Sequence, residues 1–241
     1  MRPRSPGAGL IVIALASMLA GCALFFPEVP PPAAPAGAPA DFPERYYLRA
    51  AAQGRPVFRV DPAQSLVVIE VRRSGSLARL GHDHVVAGRE IEGYLAPQEG
   101  RADLYLALGR LAVDESALRA EAGFDTQPAQ SDISGTRANM LDKVLEANRF
   151  PFALIRVRGA SADLRDLTFA VAITLHGVTR TLQAPARVDV DAERIEVSGR
   201  FSFDQTDFGI TPYSLLGGAI AVRNRLDLRF RVRARRLHGG G

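Results

Sequence analysis

The sequence predicts an all-β domain of about eight antiparallel strands with one or two short helices. The main observation is a strict alternation of apolar and polar residues in several segments after residue 57, which is typical of strands with one buried and one solvated face. A second observation is that apolar residues at helical spacing are rare. Strands of this kind favour antiparallel sheets, which bury one face and leave the other in water.

The clearest strand is predicted over residues 222–233, where apolar side chains alternate with arginines. Seven further segments carry the same pattern and are predicted to be strands: residues 66–73, 83–95, 102–108, 153–157, 167–175, 182–190 and 195–203. Eight such strands bury their apolar faces either in a sandwich or in a closed barrel. The periodicity alone leaves both architectures open.

Two short helices are predicted between the strands. Residues 140–145 carry apolar side chains at the i, i+3 and i+4 spacing of a helix, with Thr136 as a candidate N-cap and Pro151 ending the segment. A second helix is predicted over residues 115–122. We expect both to cover the mouth or the side of the β-domain.

The first 21 residues have the features of a secretory signal peptide. Arg2 and Arg4 supply a positive charge, and residues 10–20 form an apolar run that is too short to cross a bilayer. The run ends in Leu19-Ala20-Gly21-Cys22, which resembles the bacterial lipobox. An ordinary signal peptide that contains a cysteine is the alternative.

The resemblance to a lipobox implies that Cys22 is lipidated and anchors the mature chain to a membrane. Acyl chains add about 0.8 kcal/mol of membrane affinity per buried CH₂, so two or three of them would hold the chain stably. Ala23 in place of an aspartate resembles the outer-membrane sorting pattern more than inner-membrane retention. We therefore expect the folded domain to lie in the periplasm, attached to the outer membrane.

Residues 22–45 are predicted to be a tether that begins at Cys22. Proline alternates there with alanine and glycine, which favours extended polyproline II at about 3.1 Å per residue. Residues 46–56 are transitional, the β-domain is predicted over residues 57–235, and residues 236–241 form a flexible tail.

Charge and cysteine content exclude several classes of protein. Removal of residues 1–21 takes away Arg2 and Arg4, so the net charge falls from +4 to +2. This small excess makes no electrostatic case for a nucleic-acid partner. Cys22 is the only cysteine, so disulfides cannot support the domain.

Six short motifs follow one another in the β-domain. They are Val60-Asp61-Pro62, Ser65, Gly93-Tyr94-Leu95, Arg149-Phe150-Pro151, His176-Gly177-Val178-Thr179-Arg180 and Asp207-Phe208-Gly209-Ile210. In this order and at these distances they resemble the YceI-like, polyisoprenoid-binding family over about residues 57–235. The resemblance implies a lipocalin-like antiparallel barrel whose elongated apolar cavity holds a long isoprenoid or fatty chain.

The sequence departs from the family pattern in two places. Many members carry an arginine just before the Asp-Phe-Gly stretch, whereas Gln205-Thr206 stand here. The motif Gly81-His82-Asp83-His84 marks a subset of the family rather than the family at large. It indicates that this protein has a different or additional role.

The residues predicted to bind the apolar chain are inward-facing members of three strands. A lining of phenylalanine and aliphatic side chains offers few hydrogen bonds, so the guest would be apolar. A filled core without a cavity fits the periodicity equally well. The predicted ligand-binding residues are Phe169, Ile173, Phe201, Phe203, Leu228 and Phe230.

The histidine motif is the only candidate for polar chemistry. In an extended chain His82 and His84 point to the same side about 6 to 7 Å apart, so both imidazoles could bind one metal, with His176 as a third ligand. The alternative is that the motif closes a loop at the barrel mouth. The odd positions near this motif are the more apolar, but a bulge would reverse the phase, so the sequence leaves open whether the histidines face the barrel interior.

No catalytic residues are predicted, because the chain lacks a Gly-x-Ser-x-Gly elbow and its paired glutamates lie on an ordinary strand. The sequence thus predicts a non-enzymatic binding protein for an apolar lipid, with no required cofactor. Two alternatives remain open: a metal-binding envelope protein that uses His82 and His84, and a structural envelope protein with a solid core.

Overall fold

The structure is a computed structural model that describes residues 37–159 and 167–238. Cys22, the predicted signal peptide and the first part of the predicted tether lie outside these residues, as does the end of the tail. The strands are β1 (Phe58–Val60), β2 (Leu66–Val71), β3 (Arg73–Ser74), β4 (His84–Gly88), β5 (Ile91–Ala96), β6 (Arg101–Ala107), β7 (Ala112–Val113), β8 (Phe152–Val157), β9 (Leu167–Leu175), β10 (Val178–Val190), β11 (Arg194–Asp204), β12 (Ser214–Leu215), β13 (Ile220–Val222) and β14 (Arg225–Arg236). The helices are α1 (Glu44–Ala52), α2 (Ser116–Glu121) and α3 (Gln130–Asn139).

Eight antiparallel strands close into a barrel, which confirms the predicted fold class. The ring runs β1-β5-β6-β8-β9-β10-β11-β14, and the pairing of β14 with β1 closes it. The strand β2 follows β1 along the chain and pairs with β14, and β4 precedes β5 and pairs with β2 and β7. A small sheet of β12, β13 and β3 lies beside the barrel strands. Closure removes the free sheet edges that a sandwich would leave.

A short turn divides the first barrel strand into β1 and β2. Asp61 caps this turn, because its carboxylate accepts a hydrogen bond from the Ala63 amide at 3.1 Å. The Ser65 hydroxyl donates to the Asp61 carbonyl at 2.9 Å and accepts from the Arg233 amide at 3.0 Å. The first family motif therefore holds this turn against β14.

The segment predicted as one strand over residues 83–95 is two strands of opposite phase. In β4 the even positions His84 and Val86 face the barrel interior, whereas in β5 the odd positions Ile91 and Leu95 do. The odd positions, which are the more apolar in the sequence, therefore face outward in β4, where Val85 packs against α2. The phase changes because the chain breaks between β4 and β5.

Two of the three helices differ from the prediction. α2 is close to its predicted place, but α3 begins at Gln130, so Thr136 lies inside the helix and is not its N-cap. A wider turn over Met140–Val144 follows α3 directly. None of the ten α3 side chains is buried, and for this reason the helix has no apolar periodicity that the sequence could reveal.

The helix α1 was not predicted at all and packs on the outside of the barrel. Tyr47 is fully buried there, stacks on Tyr94 at 5.2 Å and donates a hydrogen bond to the Asp103 carboxylate at 2.6 Å. Arg101 and Arg158 also donate to Asp103, at 2.9 and 2.6 Å. Burial and the Asp103 carboxylate both raise the pKa of Tyr47, so its hydroxyl stays protonated. The folded unit thus includes residues that precede β1.

Candidate functional site: a barrel cavity with one polar end

The barrel encloses a cavity of about 920 Å³. This volume lies near the top of the range of roughly 300–1,000 Å³ that is usual for small-molecule sites. The alternative of a solid core therefore does not describe this barrel. All six residues predicted to bind the apolar chain line the cavity: Phe169, Ile173, Phe201, Phe203, Leu228 and Phe230.

The long strands supply the lining because their alternate residues point inward. Phe201 lies at the centre of an aromatic group, with ring centroids 6.3 Å from those of Phe203 and Phe230. Phe201 lies on β11 opposite Leu228 of β14, and Phe230 lies on β14 opposite Gly199. Apolar surface removed from water contributes about 25 cal/mol of binding free energy per Å². A hydrocarbon chain along this lining would therefore be bound mainly by desolvation.

One end of the cavity is polar. The turn after β3, the start of β4 and the inner side of α3 bring hydrogen-bonding side chains to the lining there. These side chains are Arg73, His82, His84, Ser131, Asp132, Thr136 and Asn139.

His84 is held at this end by a buried carboxylate. Its Nδ1 lies 2.6 Å from Asp114 Oδ2, and the Asp114 side chain has no exposed surface. Asp114 also accepts from the Val85 amide at 3.0 Å and from the Arg119 guanidinium at 2.6 Å. Arg119 is itself only 2% exposed. The ring of His84 therefore has one orientation, with Nδ1 directed at Asp114.

The surroundings of Asp114 keep it ionised. Burial acts to raise its pKa, but the hydrogen bonds from His84, the Val85 amide and Arg119 outweigh burial and hold the pKa below its ordinary value. Asp114 adopts a left-handed backbone with φ of 58°, which aspartate tolerates better than most residues. The site thus rests on a charged and conformationally unusual residue.

His82 lies beside His84 on the same side of the chain, as the spacing predicted, and both rings line the cavity. Their ring centroids are 6.2 Å apart. His82 Nε2 is 4.0 Å from an Asp132 carboxylate oxygen, and its buried Nδ1 makes no hydrogen bond to any described residue. Asp83, between the two histidines, instead accepts from the Arg73 amide at 2.8 Å.

Among the described residues, the structure does not group His176 with His82 and His84. His176 lies at the β9–β10 turn, where Nε2 is 3.1 Å from Glu146 and the ring packs on Phe150 at 4.9 Å. Within the described ranges, no three His, Cys, Asp or Glu side chains are grouped to hold a metal ion. The positive φ of His176 and Gly177 closes the hairpin, which accounts for the motif structurally.

Exposed leucines surround the polar end of the cavity. Leu80 and Leu215 belong to the lining and are 62% and 48% exposed, and the neighbouring Leu216 is 73% exposed. The cavity therefore reaches the surface here, at the turn after β3 and at β12. Among the helices of residues 37–159 and 167–238, none has the length and apolar character needed to cross a membrane.

The model of the YceI-like domain matches residues 58–234, which is most of the chain. The chain belongs to the YceI-like family. The match begins and ends with the barrel strands β1 and β14, so it covers the cavity and both of its ends. The YceI-like family is one of binding proteins, and no catalytic site is evident among the residues that the structure describes.

Two solved structures share the fold of this YceI-like domain. One is a polyisoprenoid-binding domain from Saccharophagus degradans implicated in plant cell wall breakdown, with a TM-score of 0.54 and 14% identity over 75% of this chain and 98% of its own. The other is BcnA of Burkholderia cenocepacia, with a TM-score of 0.50 and 15% identity over 72% and 98%. At these identities the similarity concerns the fold. A comparison with curated proteins found no match.

Sequence reasoning missed the residues that support the polar end of the YceI-like cavity. Asp114 and Arg119 lie 30 and more residues after His84; Asp114 falls between a predicted strand and a predicted helix, and Arg119 falls within that helix. The polar residues of α3 were missed because no α3 side chain is buried. The only sequence feature that pointed to this end of the cavity was the pair His82 and His84, which are polar residues next to a predicted strand.

Proposed function

We propose that this YceI-like protein binds and carries a long apolar chain, isoprenoid or fatty, inside its barrel. The observation that carries the proposal is a cavity of about 920 Å³ lined almost throughout by aliphatic and phenylalanine side chains. The polyisoprenoid binding of the Saccharophagus degradans domain supports the same class of ligand. Each CH₂ moved from water into the cavity contributes roughly 0.8 kcal/mol, so chain length governs affinity.

We further propose that Cys22 is lipidated and holds the domain at the outer membrane, facing the periplasm. The lipobox-like Leu19-Ala20-Gly21-Cys22 and the proline-rich segment after it support this. A lipid anchor of this kind holds the carrier beside a membrane that can supply its ligand.

Native mass spectrometry of the whole chain as its Cys22→Ser form tests the binding function. We expect an added mass that organic solvent extracts and that is reconstituted with geranylgeraniol. Phe201→Asp places a carboxylate in the aromatic group and should abolish uptake, and Leu228→Trp tests the same point by filling space. Arg200→Asp, on the outward side of β11, is the control. Folded Phe201 and Leu228 variants that retain full uptake would contradict the proposal.

Metabolic labelling with a radioactive fatty acid tests the anchor. We expect label in the wild-type chain and none in Cys22→Ser, with the wild-type protein in the outer-membrane fraction. Label in the Cys22→Ser chain, or an unlabelled wild type, would show that Cys22 is not the anchor.

A further inference from the structure

We propose that the polar end of the cavity is a head-group site for a neutral hydroxyl, which donates its hydrogen bond to His84 Nε2. The ligand class is a long-chain alcohol or phenol rather than a lipid phosphate. This inference rests on the proposed function, because it assigns the polar end of the same apolar ligand.

The hydrogen bonds around His84 determine what its free nitrogen can do. An ionised carboxylate only accepts hydrogen bonds, so the Nδ1 that lies 2.6 Å from Asp114 carries the proton. In the neutral imidazole the other nitrogen, Nε2, is then an acceptor. His84 lines the cavity, and its Nε2 makes no hydrogen bond to any residue in the described ranges. An acceptor in an apolar cavity selects a ligand that brings a donor, such as a hydroxyl group.

The support for His84 is more elaborate than packing requires. Arg119 donates four hydrogen bonds while 2% exposed, to Asp114, to the Asp83 carbonyl and to two oxygens of Thr126. Well-packed apolar residues often stabilise a fold as well as a buried ion pair does. Asp114 also holds a left-handed conformation, and strain of this kind is concentrated at functional sites. The group fixes one ring and one tautomer at the cavity surface.

The charges at this end disfavour an anionic head. Arg73 is engaged by the Gly81 carbonyl at 2.8 Å and by Asp83 at 3.7 Å, and Arg119 lies behind Asp114. The lining itself includes the Asp132 carboxylate, which would repel a phosphate. The remaining groups on α3 are the neutral Ser131, Thr136 and Asn139, and the buried His82 Nδ1 adds another polar atom. These groups suit a neutral oxygen.

Binding of a matched C20 series to the Cys22→Ser chain tests the inference. The probes are geranylgeraniol, its methyl ether, its monophosphate and the hydrocarbon of the same skeleton. We expect the alcohol to bind about three- to tenfold more tightly than the ether and the hydrocarbon, the range of a single net hydrogen bond, and more tightly than the phosphate. His84→Leu should remove the advantage of the alcohol over the ether and the hydrocarbon. His238→Leu, an exposed histidine, is the control.

The outcomes separate the two proposals. If no member of the series binds, the proposed carrier function fails. If all four bind equally, or if the phosphate or the ether binds as tightly as the alcohol, the carrier function stands and the hydroxyl site is overturned. The wild-type series decides the matter even if His84→Leu does not fold.

Discussion

At the residue scale, Asp114 joins groups that lie far apart in the sequence. It receives hydrogen bonds from the His84 ring, the Val85 amide and the Arg119 guanidinium. Because the Asp114 side chain has no exposed surface, water cannot replace it as the acceptor for these three donors. The same residue therefore contributes to stability and to the chemistry of the cavity.

Asp114→Asn should lower the free energy of unfolding at neutral pH by about 3–5 kcal/mol. Asparagine tolerates the left-handed backbone at this position, but the substitution leaves the Arg119 guanidinium buried without a charge partner. Chemical denaturation measures the change. The control is Asp125→Asn, whose carboxylate pairs with Arg73 at 3.6 Å but is 78% exposed, and we expect it to cost less than about 1 kcal/mol. Equal effects of the two substitutions would contradict the assigned role.

The contribution of Asp114 to stability should depend on pH. Its pKa in the folded protein lies below the ordinary value of 3.8, so its charge stabilises the fold above that pH. The contribution is lost as the pH falls from 3.8 through the folded-state pKa. We expect the stability difference between wild type and Asp114→Asn to be constant near neutrality and to shrink in this acid window. A difference that is unchanged throughout the acid range would refute the linkage.

At the element scale, several family motifs meet as contacts between turns, and Phe208 and Ile210 of one of them also line the cavity. Phe150 packs over Gly177, where a Cβ would lie 2.6 Å from the phenylalanine ring, and Gly209 lies beside His176. The motifs Arg149-Phe150-Pro151, His176-Gly177 and Asp207-Phe208-Gly209 therefore meet around the β9–β10 turn. Their spacing along the chain identifies the family because each motif closes one end of a barrel strand.

The helix α1 should contribute measurably to the stability of the barrel. Tyr47→Phe removes the hydroxyl that donates to the buried Asp103, and we expect a loss of about 1–3 kcal/mol in the free energy of unfolding. Tyr46→Phe is the matched control, since the hydroxyl of Tyr46 donates to Glu99 in an exposed hydrogen bond. Thermal and chemical unfolding of both variants measure the difference. Equal stability of the two variants would mean that α1 is not held by the Asp103 contact.

At the scale of the whole molecule, the cavity opens beside exposed apolar side chains, and the proposed carrier function has the ligand enter there. Leu80→Asp and Leu215→Asp should slow the transfer of geranylgeraniol from vesicles several-fold and leave the equilibrium affinity nearly unchanged. Val190→Asp is the control, because Val190 is 52% exposed and is not part of the cavity lining. Equal transfer rates in all three variants would show that the ligand does not pass this opening.

Much of the barrel could be predicted from the sequence because strand alternation is a local property. The inward faces of β9, β11 and β14 follow from a period of two, and with them the six predicted lining residues. The turn motifs identified the family for a similar reason, since backbone turns restrict residue type at each position. The signal peptide and the lipidation of Cys22 are predictions from local sequence features of the same kind.

Tertiary structure alone decided the open cavity, the helix α1 and the support of His84. A filled and a hollow barrel have the same alternation, because cavity volume depends on how many strands close and at what register. The phase of β4 depends on the break before β5, which no local period reveals. The pairing of His84 with Asp114 and Arg119 joins residues on different elements, and so hydrogen bonds across the fold, rather than sequence spacing, define the polar end of the cavity.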